Sequence, residues 1–362
     1  LKNLKILHIT PDFDYNSGRS KSVFLTLKYL KKYNNSVFLA TNKGDFVKNI
    51  KELEIPFLQI SINKKNPFSF FNDLSVLKKF VKKNNIEIVH SHHRYTDLLA
   101  KRLEKDSKIK AVTTVHNIVY NKKILSYNIS NIIAVSNNIK EHLINYYNKS
   151  SDSISVIYNF VEQEKRDLLH GKKELSDKYK IDNKFLIGFA GRLNYEEKGV
   201  DVLLESFKIF NNKYPESVLM LIGDGDDKNL ALEFVQRNNL SVIFINTVEN
   251  ISYYLDLLDV FVLPSRFEAC PNVILEAGIM KKPVIASNAG GIPEIIKDNI
   301  SGLLFEKNNP PKLSEMLEKV YNDIELRKTI AENLYSEIKN NFYADRIISK
   351  LINYYNNLIT SV

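Results

Sequence analysis

Two glutamates, Glu268 and Glu276, stand eight positions apart in RFEACPNVILEAG, with Pro271 between them. Ionised carboxylates only accept hydrogen bonds, so a pair at this spacing can grip hydroxyls at two points of one extended ligand. The residues between them predict a helix start. Proline suits a first turn, where its missing N–H costs nothing, and the pattern runs from Pro271 to about Met280. Glu268 then lies in the loop before the helix and Glu276 in its second turn. The amides near Asn272 and Val273 fall at the helix start, where unpaired N–H groups favour an anion. Hydroxyl clamps flanking an anion site have the layout of a nucleotide sugar: sugar hydroxyls, diphosphate, ribose hydroxyls. A plainer reading competes with this one, in which Glu268 caps the helix and Glu276 is solvated.

A diphosphate must be neutralised, and GFAGRLNYEEKGVDVLLESF supplies the charge. FLIGFA reads as a strand, Gly191 permits a tight turn, and GVDVLLESFKIF has helical periodicity. Arg192 and Lys198 bracket the loop between them, a fork of donors and a point charge that both suit phosphate oxygens. Taken alone, each is also compatible with ordinary surface charge.

Other groupings are weaker. HSHHR places His90, His92 and His93 together; a metal site there lacks a nearby cysteine or carboxylate, and a polar strand end lining a cleft is the better expectation. Two Asp-x-Asp triplets, at 12–14 and 224–226, resemble the cation-binding pair of metal-dependent GT-A transferases. Each follows a strand in a repeating series, which suits loop and helix-cap roles. GDGDDK lacks the third glycine of a dinucleotide turn, and no Walker, G-x-S-x-G or H-E-x-x-H motif occurs.

These residues need a scaffold. At 362 residues the chain is long enough for two domains. Short apolar runs (LKILHIT, SVFLA, IEIVH, KAVTTV, NIIAV, ISVIY) alternate with helix-period stretches, pause in polar sequence near residue 160, and resume as KFLIGFA, SVLMLIG, SVIFI, VFVL, PVIA and GLLF. Strands alternating with helices argue for parallel sheets covered on both faces. The expected architecture is α/β, two doubly wound Rossmann-like domains facing a central cleft, with ligands beyond the carboxyl ends of the strands. The chain ends in helical sequence.

Composition is that of a globular protein, 44% apolar and 26% charged. The single cysteine, Cys270, suggests a reducing compartment. No apolar run approaches the ~20 residues that cross a bilayer, and the first residues lack a signal-peptide pattern, so a cytoplasmic location is expected. The net charge of +9 divides into +15 over residues 1–150 and −6 over the remainder. A basic first half suits an anionic membrane or an anionic acceptor, and Lys64 to Phe70 is the candidate membrane contact. The basic residues are scattered and form no nucleic-acid module.

In order and spacing, GRLNYEEKGVD, EACPNVILE with its E-x7-E, and PVIASNAGGIPEIIKDNISGLLF resemble the retaining GT-B glycosyltransferases of family 4, the glycosyl transferases group 1. The resemblance covers most of residues 1–340 and is strongest over 188–305. It implies an acceptor-side domain over 1–163, a donor-binding domain over 164–341, and a terminal helix of about 342–360 packing back on the first domain. It assigns Arg192 and Lys198 to the donor diphosphate, Glu268 to sugar hydroxyls, Glu276 to the ribose, and the amides of Asn272 and Val273 to sugar and phosphate. The family's glycine pair after the first strand appears as Ser17 and Gly18, and His116 in TTVHN matches a histidine that touches the donor sugar. Glu268, His116, Arg192 and Lys198 are thus the expected catalytic set. The implied reaction moves a sugar from a nucleoside-diphosphate donor, expected to be a UDP-sugar, to a glycan or lipid-linked acceptor, with no metal or cofactor. Two other classes compete with this reading: a nucleotide-sugar epimerase of similar fold, and a non-catalytic basic binding protein.

Overall fold

The computed structural model describes residues 3–62, 67–120, 126–162 and 168–360; the side chains of 67–68 and 168–173 fall outside that description. The chain forms two compact units, Leu1–Asn159 with Ala344–Val362, and Phe160–Tyr343.

The first unit holds strands β1 (Lys5–Ile9), β2 (Ser36–Thr41), β3 (Phe57–Gln59), β4 (Ile88–Ser91), β5 (Lys110–Val115), β6 (Asn131–Ala134) and β7 (Ile154–Val156), in the order β3-β2-β1-β4-β5-β6-β7. Every pairing is parallel. Parallel neighbours need crossover helices, which cover both faces and make the central strands apolar throughout. β4 is buried along its whole length. β3 was not legible in the sequence. It is a three-residue edge strand after Pro56, too exposed and short to show a pattern.

The terminal helix Ala344–Thr360 belongs to this unit. Ile347, Ile348, Leu351, Ile352 and Tyr355 form its buried stripe. At its start Asp345 accepts a hydrogen bond from Tyr33 at 2.7 Å and pairs with Lys32 at 3.4 Å.

The second unit holds β8 (Phe185–Ala190), β9 (Ser217–Ile222), β10 (Val242–Ile245), β11 (Val260–Leu263), β12 (Val284–Ser287) and β13 (Leu303–Phe305), in the order β10-β9-β8-β11-β12-β13. These pairings are also parallel. β8 and β9 are buried at every position. The helical sequence after residue 310 divides at Asp323, whose extended backbone ends one helix and whose carboxylate caps the next by accepting from Leu326 N–H at 2.8 Å.

Both units follow the doubly wound plan, in which ligands bind beyond the carboxyl ends of the strands. β8 and β11 are hydrogen-bonded neighbours, so the loops that follow them, which carry Arg192, Lys198 and Glu268, emerge side by side.

Candidate functional site

In the second unit, β11 ends at Leu263 and the chain turns through Pro264 and Ser265. The helix begins at Asn272 rather than Pro271 and runs to Ile279; Pro271 is the capping residue and makes no side-chain cap bond. Glu268 does not cap this helix. Its carboxylate, in a residue only 8% exposed, meets Lys198 Nζ at 2.5 Å and accepts from Ser265 Oγ at 2.8 Å. Lys198 and Glu268, expected to grip different parts of a ligand, are therefore brought together as a largely buried ion pair. A buried carboxylate needs such a partner, because desolvation otherwise penalises its charge.

The loops that hold this pair are tightly specified. Gly199 is left-handed, with φ of +63°, and a Cβ there would lie 2.3 Å from the Pro264 carbonyl oxygen. Gly290, with φ of +56°, packs as closely on the backbone of Glu268, and Gly291 N–H donates to the Glu268 carbonyl at 2.7 Å. Arg266, which sequence reasoning passed over, ties the two loops together. Its guanidinium forks onto Asp201 at 2.7 and 2.8 Å and also donates to the Tyr195 carbonyl, while its N–H reaches the Glu197 carbonyl at 2.8 Å.

Arg192 follows the β8 turn and is exposed, and among the described residues its side chain makes no hydrogen bond or ion pair. Asn272 and Val273 form the first turn of the helix, and Glu276 lies half-buried in its second turn. The triplet 224–226 lies in the loop between β9 and the helix that begins at Lys228, the loop role expected of it, and Asp227 follows it. The Asp224 carbonyl accepts from Leu193 N–H at 3.0 Å and the Asp227 carboxylate from Tyr195 N–H at 2.7 Å.

In the first unit, Gly18 opens the helix Gly18–Lys32 and is exposed. Ser17 stands where the family has a glycine, and it has ordinary extended backbone. Its hydroxyl caps the helix by accepting from Ser20 N–H at 3.3 Å, work that glycine cannot do. Asp12 is paired with Arg19. Asp14 has its carboxyl pushed up by burial and then by Asp12 and Asp45.

His116 follows β5 and closes a file of histidines. His8 Nδ1 lies 2.9 Å from His92 Nε2, and His92 Nδ1 lies 3.0 Å from His116 Nε2. His90 stands beside the file, its Nδ1 2.5 Å from the Tyr355 hydroxyl and its Nε2 2.7 Å from Thr114 Oγ1. His8, His90 and His92 are almost wholly buried, while His93 and Arg94, which complete HSHHR, are half-buried. His93 caps the helix Arg94–Asp106, with Nδ1 accepting from Tyr95 N–H at 3.1 Å. Burial holds His8 and His116 down at about 3, with the Arg19 charge adding to the effect at His116. His90 and His92 are lowered well below the usual range, first by burial and then by neighbouring histidines. All four are neutral at pH 7.

The candidate ligand atoms of His8, His90 and His92 lie within 4.8 Å of one another. Five of their six ring nitrogens are engaged by protein partners, so a metal would have to break bonds already made.

Residues 17–165 match the model of Glycosyltransferase Family 4, and residues 171–337 that of Glycosyl transferases group 1. The capsular polysaccharide biosynthesis glycosyltransferase CapM of Staphylococcus aureus is 28% identical, with 99% of this chain and 98% of that protein covered. An Escherichia coli UDP-Gal:alpha-D-GlcNAc-diphosphoundecaprenol alpha-1,3-galactosyltransferase is 28% identical over 79% of each. A crystal structure of a glycosyltransferase from Rickettsia africae superposes with a TM-score of 0.87 at 26% identity, covering both chains completely.

Proposed function

Because the chain belongs to glycosyltransferase family 4, the glycosyl transferases group 1, and is a glycosyltransferase of GT-B fold, we propose that it transfers a sugar from a UDP-sugar to a glycan or lipid-linked acceptor in surface polysaccharide assembly. The relatives support this, since one acts in capsular polysaccharide synthesis and another uses UDP-Gal and a diphosphoundecaprenol-linked acceptor. The observation that carries the site assignment is the buried Lys198–Glu268 pair, held by Ser265 beside the helix start at Asn272.

In this reading the departing nucleoside diphosphate is already a stable anion and needs little general-acid help. It needs positive charge where negative charge grows. Arg192, Lys198 and the amides of Asn272 and Val273 supply that without a metal. Lys198 is pre-placed by Glu268, so little side-chain freedom is lost when a phosphate oxygen becomes its second partner. Glu268 and Glu276 accept hydrogen bonds from sugar and ribose hydroxyls. Gly18 and His116 are assigned to the donor on family resemblance. The stereochemical course is retaining, with the acceptor attacking from the leaving-group face and a phosphate oxygen taking its proton.

Among the described residues no helix is long and apolar enough to cross a membrane. The basic first half supports peripheral contact with anionic lipid. Of its candidate segment Lys64–Phe70, residues 64–66 and the side chains of 67–68 lie outside the described residues.

A thermal-shift screen of nucleoside diphosphates and nucleotide sugars tests the assignment, because stabilisation follows affinity for the folded state. Uridine compounds are expected to raise Tm most. Absence of any nucleotide-dependent shift would overturn the donor reading. Release of a modified free sugar with no acceptor present would point to an epimerase instead.

A further inference from the structure

An ionised carboxylate has two oxygens, each with two lone-pair sites for a donor. In Glu268 both protein donors converge on one oxygen. Lys198 Nζ lies 2.5 Å from Oε1, and Ser265 Oγ donates to the same atom from 2.8 Å. Those two donors fill the sites of Oε1. Oε2 has no partner among the described residues and is not sealed from solvent, which reaches 10% of the side chain. The buried carboxylate is therefore engaged by the protein on one side and open on the other.

The two donors differ in how firmly they are held. Lys198 is long and partly exposed, and its ammonium makes no other hydrogen bond among the described residues. In the glycosyltransfer reading above, a phosphate oxygen draws on that same ammonium. Ser265 is 0% exposed. Its carbonyl accepts from Ser287 Oγ, and Ser287 ends β12, the strand paired with β11. The Ser265 hydroxyl has one proton to give, and Glu268 takes it. The last torsion of a glutamate is broad and nearly two-fold, so one mobile donor does not fix which oxygen faces outward. We propose that Ser265 is a positioning residue for donor-sugar recognition: it holds Oε1 while Lys198 shares its charge with a phosphate, and so keeps Oε2 turned to a sugar hydroxyl. The proposal rests on that reading and adds to it a division of labour between the two oxygens. Without Ser265, the carboxylate is free to offer Lys198 either oxygen, and its open face is no longer set for the sugar.

The test is calorimetric titration of the full chain with UDP and with UDP-glucose, UDP-galactose and UDP-N-acetylglucosamine, in the wild type, Ser265→Ala and Ser265→Cys. The readout is the ratio of two affinities: that of the nucleotide sugar which the wild type binds most tightly, and that of UDP. Ser265→Ala is expected to weaken the nucleotide sugar roughly fivefold while UDP stays within about twofold. Retained UDP binding also shows that the variant is folded. Ser265→Cys, close in size and with a weaker S–H donor, is expected to fall between wild type and Ser265→Ala, and its ratio decides the matter if the alanine variant does not fold. A merely structural role would weaken UDP and nucleotide sugar alike, and that result overturns the proposal. So does an unchanged ratio in a folded variant, or a wild type that binds UDP but none of the three nucleotide sugars. A wild type that binds no uridine nucleotide at all is a different failure, that of the donor reading itself.

Discussion

Mild acid should loosen the first unit selectively. A histidine whose folded pKa lies below its unfolded value of 6.5 contributes stability that is complete above 6.5 and is lost as pH falls, because the unfolded chain takes up protons that the fold refuses. His8 and His116 are held at about 3. Each pH unit inside that window is worth about 1.4 kcal/mol, so going from pH 7.5 to 5 costs about 2 kcal/mol for each. Asp97 works the other way. Burial raises its carboxyl to about 6, and its folded form takes up a proton before the unfolded chain does. That relief amounts to about 1.4 kcal/mol at pH 5. The histidines win, with a net loss of about 2.5 kcal/mol for these three groups, and His90 and His92 push in the same direction. Native-state hydrogen exchange read by mass spectrometry should show the slowest amides of β1 and β4 losing protection roughly a hundredfold between pH 7.5 and 5, after correction for intrinsic rates. The amides of β8 and β9 are the internal control, since His170 is the only histidine in the second unit's sequence. Equal corrected protection of β1 and β4 at both pH values would refute the claim that these histidines are buried neutral.

Other expectations concern the reaction. Lys198→Ala should lower kcat/KM at least tenfold, about 1.4 kcal/mol in transition-state stabilisation; near-wild-type kinetics in the folded variant would remove Lys198 from the mechanism. Lys198→Ala should also lower Tm by leaving the Glu268 charge buried beside Ser265 alone, and adding Glu268→Gln should recover part of that loss; strict additivity in the double-mutant cycle would deny the pair any coupling. Arg192→Ala touches an exposed side chain, so stability should move by no more than ~0.5 kcal/mol while UDP binding weakens in a titration; unchanged UDP affinity would sink its assignment to the diphosphate. Transfer activity should survive excess EDTA, and its loss with recovery on adding Mg2+ or Mn2+ would demand a metal-assisted route. Flotation with anionic liposomes at low salt should carry the protein upward, whereas protein left at the bottom would count against membrane contact.

How far the sequence reads depends on whether an inference needs neighbours that are distant in the chain. The doubly wound plan did not. Runs such as FLIGFA and VFVL are apolar at every position because both faces of a parallel strand are covered, and that pattern is local. The three-residue strand β3 escaped because an edge strand of that length has no period to detect. At the site, residue types and spacing placed Glu268, Arg192 and Lys198 at the ends of strands. They could not reveal that Lys198 turns toward Glu268 across 70 positions, or that Arg266 and Asp201 bind the same two loops together. Those contacts follow from the parallel pairing of β8 with β11. His8 is the sharpest case. In LKILHIT it reads as a polar interruption of a strand, and what gives it a role is register: His8 lies opposite His90 on β4, which brings His92 within hydrogen-bonding reach and, beyond it, His116 after β5. A fully buried imidazole without a carboxylate is costly unless its nitrogens are occupied. The fold gathers three of them, with the half-buried His116 beside them, toward the ends of β1, β4 and β5, and protein partners occupy five of the six nitrogens of His8, His90 and His92.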